Sequence, residues 1–439
     1  MAKKRNFIVL FALVVLLLSG CSVRTVSDLY CLPMRSEEYN NLQSVMKEAM
    51  AGLEYSAPIR GDHRQTVQRV DLNGDGEEEY LVFTKGNADK PLQILVFAGD
   101  GEKYGLMDVI ECTGSAFDRV EYIHMDNKAG YELVVGCQVS DQVVRSTAVY
   151  SMVGDQMEQL MSTSYSELMV TDLDRNGRKE LMVLRPGSNT NGVVALYSMT
   201  GSSMERSQEV TMSEPVENIK RMMLGKLQDG RPAVYVASAV TDNSGILTDV
   251  FTLVSGQLTN VSLSNESGTS VQTLRNHYVY ADDIDNDGIL ELPSLITMHP
   301  TTNSGSSEHQ YIIRWYSLNA DGTEVTKLHT YHNFVGGWYL ELDGRFVERL
   351  TVNQKGISYE FSIWNEDYTE TVRLMTVFAL TGQKREEQAV ADNRFVLLRG
   401  ESTIFAASLD VASAEYAMTK ETLINRFHLI FEDWITGEI

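Results

Sequence analysis

The sequence is poor in cysteine, proline and basic residues, and each shortage excludes a class of protein. Its 439 residues include 4 cysteines and 8 prolines, too few for a disulfide scaffold or a proline-rich repeat. Lysine and arginine number 37 against 60 aspartates and glutamates, so the net charge is −23. A chain this acidic is repelled by phosphate backbones, and nucleic-acid binding is not expected. The hydrophobic share of 43% is enough for folded cores and excludes general disorder.

Long apolar runs are also missing, except near the first residue. Basic residues at 3–5 precede a mostly apolar run at 7–18 that is short for a membrane-spanning helix. The run ends in Leu-Ser-Gly-Cys at 18–21, which resembles a bacterial lipobox. The resemblance implies that 1–20 is a lipoprotein signal peptide and that Cys21 carries a lipid on the extracytoplasmic face of the cell membrane. An ordinary signal peptide, or an anchor helix with a chance cysteine, is the alternative.

Residues 21–57 predict a short tether followed by a helix. The helix is expected from Ser36 to Tyr55, because Ser36 can cap its first turn. Apolar residues then recur at helical spacing from Leu42 to Leu53, which predicts one face packed against the main body.

The strongest signal is an acidic segment of nine residues that recurs along the chain. Oxygen-bearing side chains occupy its positions 1, 3 and 5, glycine occupies position 6, and glutamate occupies position 9. Full copies begin at Asp71, Asp172 and Asp283, and degenerate copies begin at His124 and Gly225. The copies are about 50 residues apart, a period that matches one four-stranded propeller blade.

Strand patterns surround these copies. Around the first copy, 66–70 and 80–84 are rich in β-branched and aromatic residues, and 92–97 leads into a hairpin-like turn at 99–101. Similar patterns flank the other copies. The sequence therefore predicts a mainly β fold, with a β-propeller of about five recognisable blades over residues 58–330.

The acids within each copy predict calcium sites. Ca²⁺ takes roughly six to eight oxygen ligands in flexible geometry. Side chains at alternate positions of a turn can point inward, glycine allows the backbone to bend sharply, and the glutamate can complete the ligand set. Carboxylates packed this closely repel each other unless a cation is bound. Purely structural turns are the alternative.

These copies resemble the FG-GAP or VCBS-type repeats of integrin-like β-propellers, and the resemblance covers about 58–330. EF-hand loops differ, because they have an acid at position 12 and a following helix. The resemblance implies side-chain ligands at positions 1, 3, 5 and 9, here Asp71, Asn73, Asp75, Glu79, Asp172, Asp174, Asn176, Glu180, Asp283, Asp285, Asp287 and Glu291. The degenerate copies place His124, Lys128, Gly225 and Leu227 at ligand positions, and are interpreted as turns that have lost the metal.

After residue 330 the acidic segment no longer occurs. Six strand patterns, one of them at 346–352, precede a helix expected at 420–434 with Thr419 as its cap. Strands followed by one amphipathic helix predict a small α+β domain over 331–439, with further blades as the alternative.

Three cysteines remain beyond the lipobox, so at most one internal pair can form. Cys112 and Cys137 fall in neighbouring repeats and can meet, whereas Cys31 lies in the tether. Isolated buried thiols are the favoured interpretation, because free cysteine behaves as a small apolar residue.

The sequence contains no zinc-protease helix motif, no nucleophile elbow and no phosphate-binding glycine loop. His329 and His332 are interpreted as packing or surface residues rather than as a zinc site. The chain also resembles uncharacterised clostridial lipoproteins, which implies no established activity. The resembling segments are 57–68, 330–333, 337–339 and 433–437.

The predicted function is therefore that of a lipid-anchored module that binds a protein or glycan on a calcium-stabilised scaffold. A secreted enzyme acting on polysaccharide or peptidoglycan is one alternative, since propellers also support such chemistry. An envelope assembly factor, contacting its partners through residues 331–439, is the other.

Overall fold

The computed structural model describes residues 37–86, 91–99, 103–139, 145–188, 190–242, 244–276, 279–300 and 310–430. The predicted signal peptide, Cys21 and Cys31 lie outside these ranges. Within them, no helix is long and apolar enough to cross a membrane.

The chain is mainly β, as the strand patterns predict, and its described strands form six antiparallel sheets in chain order. Sheet 1 contains β1 (Glu54–Tyr55), β2 (Val67–Val70), β3 (Glu79–Lys85), β4 (Leu92–Gly99) and β5 (Tyr104–Cys112). Sheet 2 contains β6 (Ala116–Ile123), β7 (Glu132–Gln138), β8 (Arg145–Val153) and β9 (Gln156–Tyr165). Sheet 3 contains β10 (Glu167–Thr171), β11 (Glu180–Pro186), β12 (Gly192–Thr200) and β13 (Ser203–Thr211).

The second half of the chain continues the same plan. Sheet 4 contains β14 (Ile219–Lys226), β15 (Pro232–Ala239), β16 (Ile246–Val254) and β17 (Gln257–Asn260). Sheet 5 contains β18 (Leu292–Thr297), β19 (Tyr311–Leu318), β20 (Glu324–Asn333), β21 (Trp338–Leu342) and β27 (Phe427–Leu429). Sheet 6 contains β22 (Leu350–Lys355), β23 (Ser358–Trp364), β24 (Thr371–Leu380), β25 (Phe395–Arg399) and β26 (Ile404–Leu409). The helices are α1 (Glu37–Ala49), α2 (Arg385–Ala389) and α3 (Lys420–Arg426).

Each sheet packs face to face on the next through a shared apolar core. The middle strands are buried on both faces, which explains why they are near-continuous apolar runs. Phe83 of sheet 1 meets Phe117 of sheet 2 edge to face, with ring centroids 5.2 Å apart. Comparable cores join sheets 2 and 3, 3 and 4, 4 and 5, and 5 and 6. The last strand of sheet 3, β13, is largely exposed and polar.

The outer faces of the first and last sheets are covered by helices. Leu42 of α1 packs on Val82, which points away from sheet 2 because side chains alternate along a strand. Ala389 of α2 packs on Ile404 and Ala406 of sheet 6, on the face away from sheet 5. Among the described residues, no apolar core joins sheet 6 to sheet 1.

Three predicted element boundaries are wrong, and two of the errors have a tertiary cause. The first helix ends at Ala49 rather than Tyr55, because Tyr55 pairs with β3. The last helix is capped by Thr419 but ends at Arg426, because the next three residues pair with β21 in sheet 5. Residues 344–349 form a 3₁₀ turn, so the strand expected from residue 346 begins at Leu350.

The domain boundary expected at residue 330 falls inside β20, so sheet 5 includes residues on both sides of it. Ile312, from the expected first domain, lies in the same apolar core as Trp338, from the expected second. The division into 58–330 and 331–439 stays a prediction, but its boundary would cut a strand within one sheet.

Cys112 and Cys137 are thiols rather than a disulfide, and both are buried in the core between sheets 1 and 2. They are buried as the favoured interpretation expects, but they are not isolated, because they contact each other. The hydrogen bond with Cys112, together with burial, raises the pKa of the Cys137 thiol, which keeps it protonated.

Candidate metal centres

The five copies of the acidic segment form five loops along the array. We call them loop 1 (71–79), loop 2 (124–132), loop 3 (172–180), loop 4 (225–233) and loop 5 (283–291). Loop 1 joins β2 to β3, and loops 2 to 4 join the first strand of a sheet to its second. Loop 5 leads into β18, and an isolated bridge between Asp282 and Glu291 closes it. The repeat in the sequence therefore corresponds to one turn at the same place in each of five sheets.

The carboxylate at position 1 organises each full copy by accepting backbone N–H groups. Gly76 donates to Asp71 at 2.9 Å, and Gly288 donates to Asp283 at 2.9 Å. The corresponding distance in loop 3, to Asp172, is 3.1 Å. The position-6 glycines have φ angles of 83 to 92°, a left-handed conformation that disfavours other residues.

The glutamate at position 9 is buried in every loop that has one, with no more than 4% of its surface exposed. One of its oxygens accepts the backbone N–H of position 2. The pairs are Leu72 with Glu79 (2.7 Å), Met125 with Glu132 (2.8 Å), Leu173 with Glu180 (2.8 Å) and Ile284 with Glu291 (3.2 Å).

Burial makes these carboxylates poor anions unless a cation is near. Burial, together with the neighbouring Asp174, raises the pKa of Glu180 to about 7. Burial and Asp285 raise the pKa of Glu291 to about 8. The pKa values of Glu79 and Glu132 are raised for the same main reason.

Loops 3 and 5 bring three carboxylates to one point. In loop 3, ligand oxygens of Asp172, Asp174 and Glu180 all lie within 4.8 Å of one another. In loop 5 the same limit holds for Asp283, Asp285 and Asp287, and Glu291 lies directly before β18.

Both loops also contain a buried carboxylate oxygen without a hydrogen-bond partner, Oδ1 of Asp172 and Oε1 of Glu291. A buried oxygen in that state is costly. A hard divalent cation would supply its missing partner, so these residues fit a calcium ion.

Loop 1 is arranged differently, although its sequence is a full copy. The side-chain amide of Asn73 donates to Asp75 at 2.8 Å and reaches Glu79 at 3.5 Å. Its Oδ1 accepts the backbone N–H of Asp75. In the described loop, Asp71, Asp75 and Glu79 do not form the close three-acid group seen in loops 3 and 5.

In the degenerate loops, a basic side chain pairs with the remaining aspartate. In loop 2, Lys128 Nζ lies 3.1 Å from Asp126. In loop 4, Leu227 is fully buried at position 3, and Asp229 pairs with Arg231 at 3.3 Å. The loss of the metal from both loops stays a prediction.

Sequence reasoning missed one basic neighbour of loop 5. Lys327 on β20 places Nζ 2.6 Å from Oδ2 of Asp287. The contact lowers the pKa of Asp287 and raises the pKa of Lys327. The only available signal was the expected pairing of strands after loop 5, which does not specify this contact.

The loops touch one another in chain order. Gly130 of loop 2 lies so close to the carbonyl of Leu72 in loop 1 that a side chain there has no room. The N–H of Lys179 in loop 3 donates to the carbonyl of His124 in loop 2 at 2.7 Å.

The same linkage continues along the second half of the row. Arg175 in loop 3 donates to the carbonyl of Gly230 in loop 4. The N–H of Leu290 in loop 5 donates to the carbonyl of Lys226 in loop 4 at 3.2 Å. An ion in one loop would therefore stiffen the contact between neighbouring sheets as well as its own turn.

No family model and no curated protein matches this chain. Solved structures with partial similarity include the exotype rhamnogalacturonan lyase YesX, with 11% identity, 72% and 71% coverage of the two chains and a TM-score of 0.28. A rhamnogalacturonan lyase from Bacillus licheniformis has 13% identity, 73% and 72% coverage of the two chains and a TM-score of 0.27. A protein from Lactobacillus plantarum has 10% identity, 74% and 95% coverage of the two chains and a TM-score of 0.27. TM-scores this low support no conclusion about shared fold or activity.

Proposed function

We propose that this chain is a lipid-anchored, extracytoplasmic binding module for a protein or a glycan, whose sheet array is stabilised by calcium. The calcium part rests on one observation above the others. Loops 3 and 5 each gather three carboxylates and leave one buried carboxylate oxygen unpaired. Hydrogen bonds within the loops satisfy the turns but not these oxygens. A bound Ca²⁺ supplies the partner and offsets the repulsion between the acids.

The row of loops gives this calcium a structural role. Each loop contacts the loop of the next sheet, so ligands held rigid by an ion also fix the junction between two sheets. The ions therefore support the shape of a large surface. We propose no catalytic role for them.

The sheets are proposed to be propeller-type blades of the FG-GAP or VCBS kind, set side by side. Four-strand meanders that pack face to face through apolar cores support this assignment. The helices over the outer faces of sheets 1 and 6 favour an open array capped at both ends, because exposed apolar faces are covered without ring closure. Small-angle scattering of the full chain tests this, since a closed disc has a shorter maximum dimension than an open row.

Calcium stabilisation is tested by thermal unfolding of the full chain with added calcium and with a chelator. At calcium about 100-fold above its Kd, each occupied site stabilises the folded chain by about 2.7 kcal/mol. We expect chelation to lower Tm and calcium to restore it. Magnesium should restore less, because it demands near-octahedral geometry. An identical Tm in chelator and in calcium would contradict the proposal.

A matched pair of variants separates loop 3 from general acidity. Asp174→Ala removes a member of the three-acid group, whereas Asp126→Ala changes the same position of loop 2. We expect the calcium-dependent gain in Tm to shrink in the first variant and to remain in the second. Equal effects would argue against a specific site in loop 3.

The anchor is tested independently of calcium. Cys21→Ser should move the chain from the membrane fraction to the soluble fraction and abolish labelling by a radioactive fatty acid. Continued labelling of that variant would show that lipid is attached elsewhere or that the predicted lipobox is not used.

A further inference from the structure

A well-formed cavity lies away from the acidic loops, against the first strands of three successive sheets. Its volume is about 490 Å³, within the usual range for small-molecule sites. β6 contributes Arg119 and Glu121, β10 contributes residues 167–170, and β14 contributes Ile219 and Met222. Because its walls come from three sheets, the cavity forms only when the sheets pack together.

A charged network fixes the polar wall of this cavity. Asp118 is fully buried and receives two hydrogen bonds from Arg60, at 3.0 and 2.8 Å. Tyr165 donates to the same carboxylate at 2.5 Å. Arg60 also donates to Glu167 at 3.0 Å, and Arg145 lies 3.4 Å from that carboxylate. These contacts lower the pKa of Asp118 and hold the neighbouring side chains in place.

Three polar groups at the cavity are left with unused hydrogen-bonding capacity. Ser166 is 1% exposed, and its Oγ has no hydrogen-bond partner. Nε of Arg119 is buried without an acceptor, and the nearby Oε1 of Glu121 is 3.6 Å away. Within the described residues, no hydrogen bond reaches the Glu121 carboxylate. The Glu121 side chain is 26% exposed and forms this ion pair with Arg119. The two buried atoms without partners, Ser166 Oγ and Arg119 Nε, point to a ligand or bound water.

The unused groups include both a donor and an acceptor, which restricts the ligand. A carboxylate ligand would be repelled by Glu121 and Glu167, and a cation would be repelled by Arg119 and Arg145. A hydroxyl group can accept from a guanidinium and donate to a carboxylate at the same time.

The opposite wall is mainly apolar and suits the C–H face of a ring. It contains Val216, Ile219 and Met222, and the charged side chain of Glu217 lies beside them. A rigid ring with hydroxyl groups on its edge and C–H groups on its face satisfies both walls. Such a ligand also loses little conformational entropy on binding.

We infer that this cavity binds a neutral saccharide unit, with Arg119, Glu121 and Ser166 recognising its hydroxyl groups. The inference rests on the proposed binding function and specifies its ligand class and site. It requires no metal, because the cavity-lining residues include none of the acids of loops 3 and 5.

The test is a calorimetric titration of the full chain, in calcium, with galactose, N-acetylglucosamine and cellobiose as neutral probes. Galacturonate and glucosamine are the charged comparators. We expect at least one neutral probe to bind more tightly than both charged sugars. Glu121→Gln should weaken that binding about tenfold, because a hydrogen bond to a charged group is lost. Met222→Trp should abolish it by filling the cavity.

Glu360→Gln is the matched control, since Glu360 is a similarly exposed carboxylate paired with Lys355 on sheet 6. Its affinity and Tm should equal those of the unmodified chain. Ser166→Ala checks the site with minimal risk to folding and should weaken binding a few-fold.

The inference is overturned if no neutral probe binds, if a charged sugar binds more tightly, or if binding survives both Glu121→Gln and Met222→Trp. Melting the same preparations with and without calcium keeps the two proposals apart. A calcium-dependent Tm without sugar binding removes only the saccharide site. Sugar binding without a calcium-dependent Tm removes only the metal-stabilised scaffold.

Discussion

Loops 3 and 5 and loops 2 and 4 have related turns at the same place in their sheets, yet they neutralise the turn in different ways. In loop 3 the group is three carboxylates within 4.8 Å of one another. In loop 2 the ammonium of Lys128 pairs with Asp126 inside the loop itself. In loop 4 the buried Leu227 and the pair between Asp229 and Arg231 take the place of ligands.

The difference separates the residues that form the turn from the residues that are candidate metal ligands. Glu132 in loop 2 keeps the buried position and backbone hydrogen bond of its counterparts, although that loop has lost its acids at positions 1 and 5. The glutamate at position 9 is therefore a backbone cap first. Acids at both position 1 and position 3 occur in loops 3 and 5 and are absent from loops 2 and 4.

The largest expected effect comes from removing a ligand in loop 5. Asp285→Ala takes away one of three grouped carboxylates, and we expect it to remove the calcium stabilisation of that loop, about 2.7 kcal/mol at calcium 100-fold above Kd. Tm should therefore fall even with calcium present. Asp229→Ala, at position 5 of loop 4, breaks only a partly exposed ion pair worth about 0–1 kcal/mol. Equal losses of Tm would erase the distinction between the two kinds of loop.

The opposite experiment restores acids to loop 2. His124→Asp with Lys128→Asp recreates positions 1 and 5 around Asp126 and Glu132. We expect equilibrium dialysis to count one additional calcium ion per chain. The gain in stability should be about 2 kcal/mol at calcium 100-fold above Kd, since the lost Lys128 pair offsets part of the new site. An unchanged calcium count would mean that loop 2 differs in backbone as well as in side chains.

The third comparison is the pH dependence of the free energy of unfolding, measured with a chelator that removes calcium. The pKa of Glu291 is raised from 4.5 to about 8, so between these pH values the folded chain binds more protons than the unfolded chain. The free energy of unfolding should therefore fall as pH rises through this window, by up to about 1.4 kcal/mol per pH unit for this group. Urea unfolding at several pH values measures the slope.

Glu291→Gln is the control for that slope, because the amide keeps an oxygen for the N–H of Ile284 but does not titrate. It should flatten the dependence, leaving the smaller contribution of Glu180, whose pKa is about 7. In calcium the unmodified chain should lose the slope, since the bound ion keeps the carboxylate ionised. If neither the variant nor calcium changes the slope of the free energy of unfolding against pH, groups other than Glu291 cause that slope.

The parts of the fold that the sequence predicts are those set by local pattern. Strands such as β21 and β26 begin and end where their apolar runs do, and the acidic segment marks the same turn in five sheets. These features depend on residues close together in the chain. The expected helix through Phe427 failed because three residues pair with β21, about 90 positions away, and local pattern cannot register such a contact.

The candidate sites divide in the same way. The ligand acids of loops 3 and 5 are predictable, because all of them lie within nine consecutive residues. The cavity is not, because its walls come from three sheets, and Arg60 is joined to Glu167 only by folding. Nor does the sequence reveal that Asn73 turns its amide toward two acids in loop 1.

Lys327 gives the smallest and most specific effect. Its ammonium lies 2.6 Å from Asp287, where a calcium ion would also be attracted, so lysine and ion compete for one carboxylate. Lys327→Met should tighten calcium binding at loop 5 by roughly fivefold at most, because an ion pair with a partly exposed partner is worth about 0–1 kcal/mol. Lys355→Met, which breaks a similar pair with Glu360 on sheet 6, should leave calcium affinity unchanged. Weaker binding after Lys327→Met would mean that the lysine orients Asp287 for the ion instead of competing with it.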